Sequence, residues 1–309
     1  NGGTSGVDLN TQGAWTEFTG DGVVIGVVDD GIDYDNPDLS PNFLSQYSYD
    51  YCGNDTNVMP VDSYDDDVNE IDWHGTAVAG IVAGKGDNDI GIAGVAYNAS
   101  LVGLRLVAGD CDFEYAENGM PNDEAVANTF LHEMDIIDIY TNSWGPFDSG
   151  NILGGAGPLA IAALEVGVSE GREGLGAIYT WANGNGLDNE DQSNKDSFAN
   201  SRYTISVGAV DWQGEQTWYS ETGPNMLVSA PSNNYWSDPA VFTTDVSGSE
   251  GDDSSDYTPN MGGTSAATPM VAGVVALMLE ANQNLTWRDV QHILVQTSRN
   301  VDSDHPGWF

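Results

Sequence analysis

Apolar residues along this 309-residue chain gather in short continuous runs separated by polar, glycine-rich stretches. Val23-Val24-Ile25-Gly26-Val27-Val28 is β-branched almost throughout, as a strand buried on both faces of a parallel sheet requires. Similar runs predict strands over 101–106, 136–143, 175–182, 204–210 and 226–230. Between them the spacing turns helical. Val78, Ile81 and Val82 recur behind His74, and helical patterns cover 123–134 and 158–169. Two closing helices are expected at 269–281 and 286–297; in the second, Thr286 caps and Trp287, Val290, Ile293 and Leu294 form the apolar face. Strands alternating with helices predict an α/β fold, a doubly wound and mostly parallel β-sheet flanked by helices. No linker or repeat divides residues 1–309, so a single domain is expected, with 108–121 as a loop insertion.

Charge changes the picture more than composition does. Forty-eight acidic residues face seven basic ones, for a formal net charge of -41, while the hydrophobic content of 40% is ordinary. Such a surface repels nucleic acid and anionic membranes and attracts cations and basic peptides. Most of those carboxylates read as a solvated acidic surface. The apolar run 270–279 is too short to cross a bilayer, so no membrane span is expected. Residues 1–6 lack a charged-then-apolar leader, which implies that any targeting or pro-segment has been removed and that the protein is secreted. Cys52 and Cys111, without a CxxC, then favour one disulfide. His74, His132, His292 and His305 show no zinc-ligand spacing.

Three polar motifs interrupt the apolar pattern. Asp29-Asp30-Gly31 stands where the first strand ends, the edge at which α/β sheets gather functional groups. His74-Gly75-Thr76 opens a helix. Gly262-Gly263-Thr264-Ser265-Ala266-Ala267-Thr268-Pro269 runs a glycine turn into an apolar segment, with Pro269 expected in the first helical turn and Ser265 at the helix start. Taken alone, the first has a plain structural reading as solvated turn acids and the last as a capping serine, while His132 and His292 read as helix-surface residues.

In the order Asp, His, Ser, however, the three motifs resemble those of the subtilisin-like serine proteases. Asp138-Ile139-Tyr140-Thr141-Asn142-Ser143-Trp144-Gly145-Pro146, Trp181-Ala182-Asn183-Gly184-Asn185-Gly186 and Asn284-Leu285-Thr286-Trp287-Arg288-Asp289 are similar to the kexin and furin branch. The resemblance implies a calcium-dependent serine endopeptidase in which His74 takes the Ser265 proton, Asp29 orients His74, and Asn185 stabilises the oxyanion, with Asn183 as the alternative. It implies an S1 pocket walled by Ser143, Trp144 and Gly145 and based on Asp148 and Asp196, accepting Arg or Lys at P1. Asp30 and Asp72 would favour a basic P2 residue, while Ala127 at the family's acidic P4 position implies little P4 selection. Two calcium sites are implied: Asp8, Asp38 and Asn88 with the carbonyls of Lys85, Ile90 and Ile92, and Asp148, Asp191 and Glu221 beneath S1. A third, weaker set is Asp50, Asp55 and Asn57.

The implied partners are polypeptides with basic residues, and a propeptide, chaperone or protein inhibitor. Ser193 and Gly223 stand where the family has cysteines. The family's catalytic domain continues beyond the last helix, so a trimmed or truncated fragment is expected. A broad-specificity protease, with Asp148 and Asp196 serving metal or solvent, and a catalytically silent binding module on the same fold remain the competing readings.

Overall fold

The computed structural model describes residues 4, 6–61, 71–113, 115, 119–235, 238–302 and 304; His305, Phe309 and parts of 1–6 and 108–121 lie outside them. In chain order the elements are β1 (Val24–Asp29), β2 (Tyr49–Asp50), α1 (His74–Ala83), β3 (Ser100–Arg105), α2 (Asp123–Phe130), β4 (Ile139–Asn142) and α3 (Pro158–Glu170). They continue with β5 (Ile178–Ala182), β6 (Thr204–Val210), β7 (Met226–Pro231), β8 (Val241–Thr244), β9 (Tyr257–Met261), α4 (Gly263–Ala281) and α5 (Trp287–Thr297).

Seven strands pair in parallel in the order β2-β3-β1-β4-β5-β6-β7. Each strand face meets its own apolar layer, which is why the sequence reads as unbroken hydrophobic runs. Ile25 and Val27 of β1 pack with α1, α4 and α5, whereas Val28 packs with α2 and α3. The chain places β3 on one side of β1 and β4 on the other. Strand order therefore reverses at β1, and the crevice outside the carboxyl ends of β1 and β4 is where such sheets place ligands. Asp29 closes β1, and Ser143 follows β4 directly. The antiparallel β8–β9 pair lies against α1, with Thr243 and Thr244 donating to the carbonyls of Ala77 and Thr76 at 2.7 Å each.

Several boundaries differ from the pattern. α2 stops at Phe130 rather than 134, and Glu133, with φ of 47°, marks the turn into β4. β4 begins at Ile139; just before it, the Asp138 backbone still bonds Val24 and Ile178, and its carboxylate accepts from Val24 N–H at 3.0 Å and pairs with Arg172 at 3.2 Å. The largest correction is α4. It starts at Gly263, so Pro269 lies in its interior and not in its first turn. Starting earlier also makes α4 long and apolar enough to cross a bilayer by length and composition, with mean hydropathy 1.4, against the expectation from 270–279. It is the core helix here: 67% buried, and packed on α1 and on the sheet from β4 to β7. At the chain's other closing helix, Thr286 and Asp289 form the reciprocal cap of α5.

Cys52 and Cys111 form a disulfide that ties the segment after β2 to the loop after β3, across 59 residues. Where the family's cysteines are replaced, Ser193 hydrogen-bonds Asn225 at 3.0 Å and the carbonyl of Thr222 at 3.3 Å. Closing a loop as long as that between Cys52 and Cys111 stabilises a fold by about 2–4 kcal/mol. The double variant Cys52→Ala, Cys111→Ala is therefore expected to lower the unfolding free energy by that amount in urea titrations; an unchanged midpoint and slope would mean that the bond adds nothing.

Candidate active site

The imidazole of His74 stands at the N-terminus of α1, and its Nδ1 donates to Asp29 Oδ1 at 2.7 Å. Close packing enforces the approach. A Cβ on Gly75 would sit 2.2 Å from the carbonyl of Gly31 and 2.8 Å from Asp29 Cβ, so only glycine lets α1 dock on the end of β1. Asp30 completes the joint, its two oxygens accepting from the backbone N–H groups of His74 at 3.0 Å and Gly75 at 2.7 Å. A carboxylate at a helix N-terminus is favoured by the helix dipole. Burial, and then the charge of Asp29, raise the Asp30 pKa to about 7. For His74, burial disfavours the charged ring, but the charge and hydrogen bond of Asp29, with the charge of Asp30, hold its pKa above the usual imidazole range.

Ser265 is the third residue of α4. Gly263, two residues earlier, has φ of 71°, and a Cβ there would come within 3.3 Å of Asn185 Oδ1. Asn185 Oδ1 accepts from Thr264 N–H at 2.9 Å and from Thr264 Oγ1 at 3.0 Å, and Asn185 lines the same cavity as Ser265. Asn183 is buried and committed elsewhere, donating to the Glu221 carbonyl at 2.6 Å. The Ser265 hydroxyl itself donates to the Ser143 carbonyl at 3.2 Å.

One cavity is lined by Ser265, Asn185, Ser143, Trp144, Gly145, Asp148 and Asp196, with Asp191 and Glu221 at its floor. Its wall is stiffened from behind. Trp181 stacks on Phe198 with ring centres 4.5 Å apart, and Trp144 packs edge-on to Trp181 at 4.7 Å. Phe198 N–H also holds Asp196 Oδ1 at 2.8 Å. Burial raises the Asp196 pKa to about 7, helped by the charges of Asp148 and Asp191 and opposed by the N–H groups of Phe198 and Ala199. Burial likewise raises Asp148, opposed by a hydrogen bond from Asn185 N–H. Glu221 is pushed to about 8 by burial, then by the charge of Asp191.

The proposed metal ligands fall into three different situations. Among the described residues no three His, Cys, Asp or Glu side chains already converge as a metal site. Asp148, Asp191 and Glu221 nonetheless crowd together, the last two buried and Asp148 exposed, with one ammonium, Lys195, 3.6 Å from Asp191. That repulsion is what a hard cation relieves, and the donors fit calcium. Asp38 is fully buried, held by the Asn88 amide at 2.7 Å and Ile92 N–H at 2.8 Å, while its own carbonyl takes Lys85 N–H at 2.8 Å. Its hydrogen-bond donors are neutral groups, so this set fits a cation too. Ile90 N–H meets Asn88 Oδ1 at 3.3 Å, and Asp8 keeps local contacts, Asn10 N–H on its carboxylate and Arg299 on its carbonyl. The third set fits poorly. Asp50 is paired with Arg105 at 3.0 Å and takes the N–H groups of Cys52 and Gly53, while Asp55 holds Asn57 N–H and Asn57 holds the Tyr34 hydroxyl.

Arg105 is the residue that sequence reasoning missed. At the end of β3 and 1% exposed, it pairs with Asp50, Asp110 and, at 3.6 Å, Asp72, and donates to the Asp30 carbonyl at 2.9 Å. Asp72 is thereby held on the same side of the site as Asp30, its pKa raised to about 6 by burial against the pull of Arg105. The available signal was an arginine ending an apolar strand in a chain with seven basic residues. Ala127 lies buried on α2.

Residues 20–308 match the model of the subtilase family, peptidase family S8. The chain belongs to that family. It is 41% identical over 302 residues to proprotein convertase subtilisin/kexin type 6 of Rattus norvegicus, covering 97% of this chain and 30% of that protein. It is 41% identical over 300 residues to neuroendocrine convertase 2 of Homo sapiens, covering 96% of this chain and 44% of the relative. The chain thus spans less than half the length of these relatives. Among solved structures, the serine protease of Aeromonas sobria in complex with a chaperone superposes with a TM-score of 0.82 at 26% identity, over 99% of this chain and 55% of that one. A protease of Pseudoalteromonas arctica gives 0.74 at 27% identity, over 96% of this chain and 88% of that one. The subtilisin-like α/β sheet expected from the sequence is the fold observed.

The Asp29–His74 pair has a pH signature with a definite sign. A histidine whose folded pKa is raised adds stability below its unfolded value of about 6.5, and that stability is lost as pH rises through the folded pKa. Asp29→Asn is therefore expected to lower the His74 pKa in an NMR titration and to destabilise the protein more at pH 6 than at pH 10. An unmoved His74 titration would contradict the pairing.

Proposed function

We propose that this chain is the catalytic domain of a secreted, calcium-dependent serine endopeptidase that cleaves after Arg or Lys through an acyl-enzyme. The observation that carries the reading is the Asp29–His74 bond at the end of β1, beside a crevice in which Ser265 and Asn185 share one cavity with two acids, Asp148 and Asp196. Two of the relatives are named as convertases, which supports a processing role on polypeptide substrates.

In the reaction, His74 Nε2 removes the Ser265 proton as Oγ attacks the scissile carbonyl, and Asp29 stabilises the imidazolium through Nδ1. Asn185 Nδ2 and Ser265 N–H bind the developing oxyanion, each donor being worth about 3 kcal/mol in such sites. The proton passes from His74 to the leaving amine, and water, activated by the same imidazole, releases the acid. A P1 guanidinium or ammonium would neutralise Asp148 and Asp196, whose pKa values desolvation raises. An apolar P1 side chain would leave those acids unpaired, and binding is penalised accordingly. At P2 the preference should be weaker, because Asp30 is engaged in capping α1 and Asp72 shares Arg105. Calcium held by Asp148, Asp191 and Glu221, and a second ion at Asp38 and Asn88, would supply positive charge that fixes the pocket floor and the loop after α1. At Asp50 we assign the compensating charge to Arg105 instead. A propeptide, chaperone or protein inhibitor would dock on the same acidic cleft, consistent with the Aeromonas sobria protease having been solved with a chaperone.

Paired fluorogenic peptides differing only at P1, Arg against Phe, test the reading in calcium and after chelation. Arg should be preferred by at least about two orders of magnitude in kcat/KM, with Asp148→Asn and Asp196→Asn each reducing the preference and chelation lowering activity. Equal cleavage of Phe would favour a broad-specificity protease, and no cleavage of either by folded protein would favour a silent binding module.

A further inference from the structure

Pro269 creates a hydrogen-bond defect at the nucleophile. In an α-helix the N–H of residue 269 would bond the carbonyl of residue 265, and proline has no N–H to give. The carbonyl left over belongs to Ser265 itself. It is not left unsatisfied: the Ser143 hydroxyl, arriving from the end of β4, donates to it at 3.1 Å. In return the Ser143 carbonyl accepts the Ser265 hydroxyl at 3.2 Å. Two serines on different elements are thus joined by a reciprocal pair, one bond of which exists because of a proline four residues further along α4.

We infer that Ser143 is a positioning residue for Ser265, its side chain replacing the helical hydrogen bond that Pro269 removes and its carbonyl holding the Ser265 hydroxyl in a resting orientation. This rests on the protease reading given above and adds to it a part for the Ser143 hydroxyl beyond the pocket wall. The two bonds have different jobs. Ser143 Oγ to the Ser265 carbonyl fixes the first turn of α4 against the end of β4, and so fixes Ser265 Oγ relative to His74 across the same sheet edge. The Ser265 hydroxyl on the Ser143 carbonyl is longer than the usual O–H···O distance of about 2.7–2.8 Å, so the proton is loosely held. During attack it transfers to His74 Nε2 as the Ser265 Oγ lone pair forms the bond to carbon, and the Ser143 carbonyl is released. Because Ser143 also lines the S1 cavity, occupancy of the pocket and the orientation of the nucleophile meet at one residue.

The interaction is tested by a double-mutant cycle of Ser143→Ala and Pro269→Ala, read in kcat normalised by active-site titration, in KM, and in urea denaturation. Ser143→Ala alone should lower kcat about tenfold, the scale of one lost hydrogen bond, with KM within about twofold. Restoring the N–H at position 269 gives the Ser265 carbonyl a helical partner. In the Pro269→Ala background the loss on Ser143→Ala should therefore shrink to about twofold or less, in both kcat and urea midpoint. Equal losses in the two backgrounds would overturn the inference, as would a Ser143→Ala protein with wild-type kcat and midpoint. A purely structural part would reduce the titratable fraction and leave the normalised kcat unchanged, which also counts against it. Should the wild-type protein cleave no peptide, the protease reading fails on that result, and the urea cycle still decides whether Ser143 and Pro269 are coupled.

Discussion

A carboxylate taken out of water has to find a positive charge or several N–H donors, and in a chain of 48 acids and seven bases that requirement shapes the whole structure. Several half-buried acids meet it within the protein. Asp123 takes two N–H groups at the start of α3, Glu280 takes those of Thr19 and Gly20, and Asp138 shares Arg172 with the N–H of Val24. Asp50 uses Arg105. Asp29 uses His74, and that pairing places an imidazole of set tautomer at the sheet's switch point. Asp148, Asp191, Asp196 and Glu221 all line the cavity beside Ser265 and face only one ammonium, Lys195, 3.6 Å from Asp191. Satisfied acids hold the fold, and those around the cavity are the ones to which the proposed function assigns cations from metal or substrate.

How much of this was legible follows from what is local. β1 and β6 were readable because a strand covered on both faces reads as a near-continuous apolar run rich in β-branched residues, whatever packs on it. The Asp, His and Ser motifs were readable because each sits at an element boundary that its own neighbours create. The start of α4 was misread because proline is a reliable local sign of a first turn, and only a distant hydroxyl, on Ser143, makes an interior position tolerable. Arg105 escaped for a similar reason: its partners, Asp50, Asp72 and Asp110, come together only when β2, β3 and the approach to α1 assemble. Asn185 was preferred to Asn183 on the alignment of the motif at Gly184-Asn185, and their hydrogen bonds differ accordingly, Asn183 Nδ2 being given to the Glu221 carbonyl and Asn185 Oδ1 to Thr264.

On the proposed function, the fold turns one serine among many into a nucleophile. A tagged fluorophosphonate followed by peptide mass spectrometry measures that directly. Folded wild-type protein should carry the label at a stoichiometry near one, on Ser265, and His74→Ala should abolish it while leaving the urea midpoint close to that of Asp29→Asn. Folded wild-type protein that takes up no label at Ser265 would contradict the account.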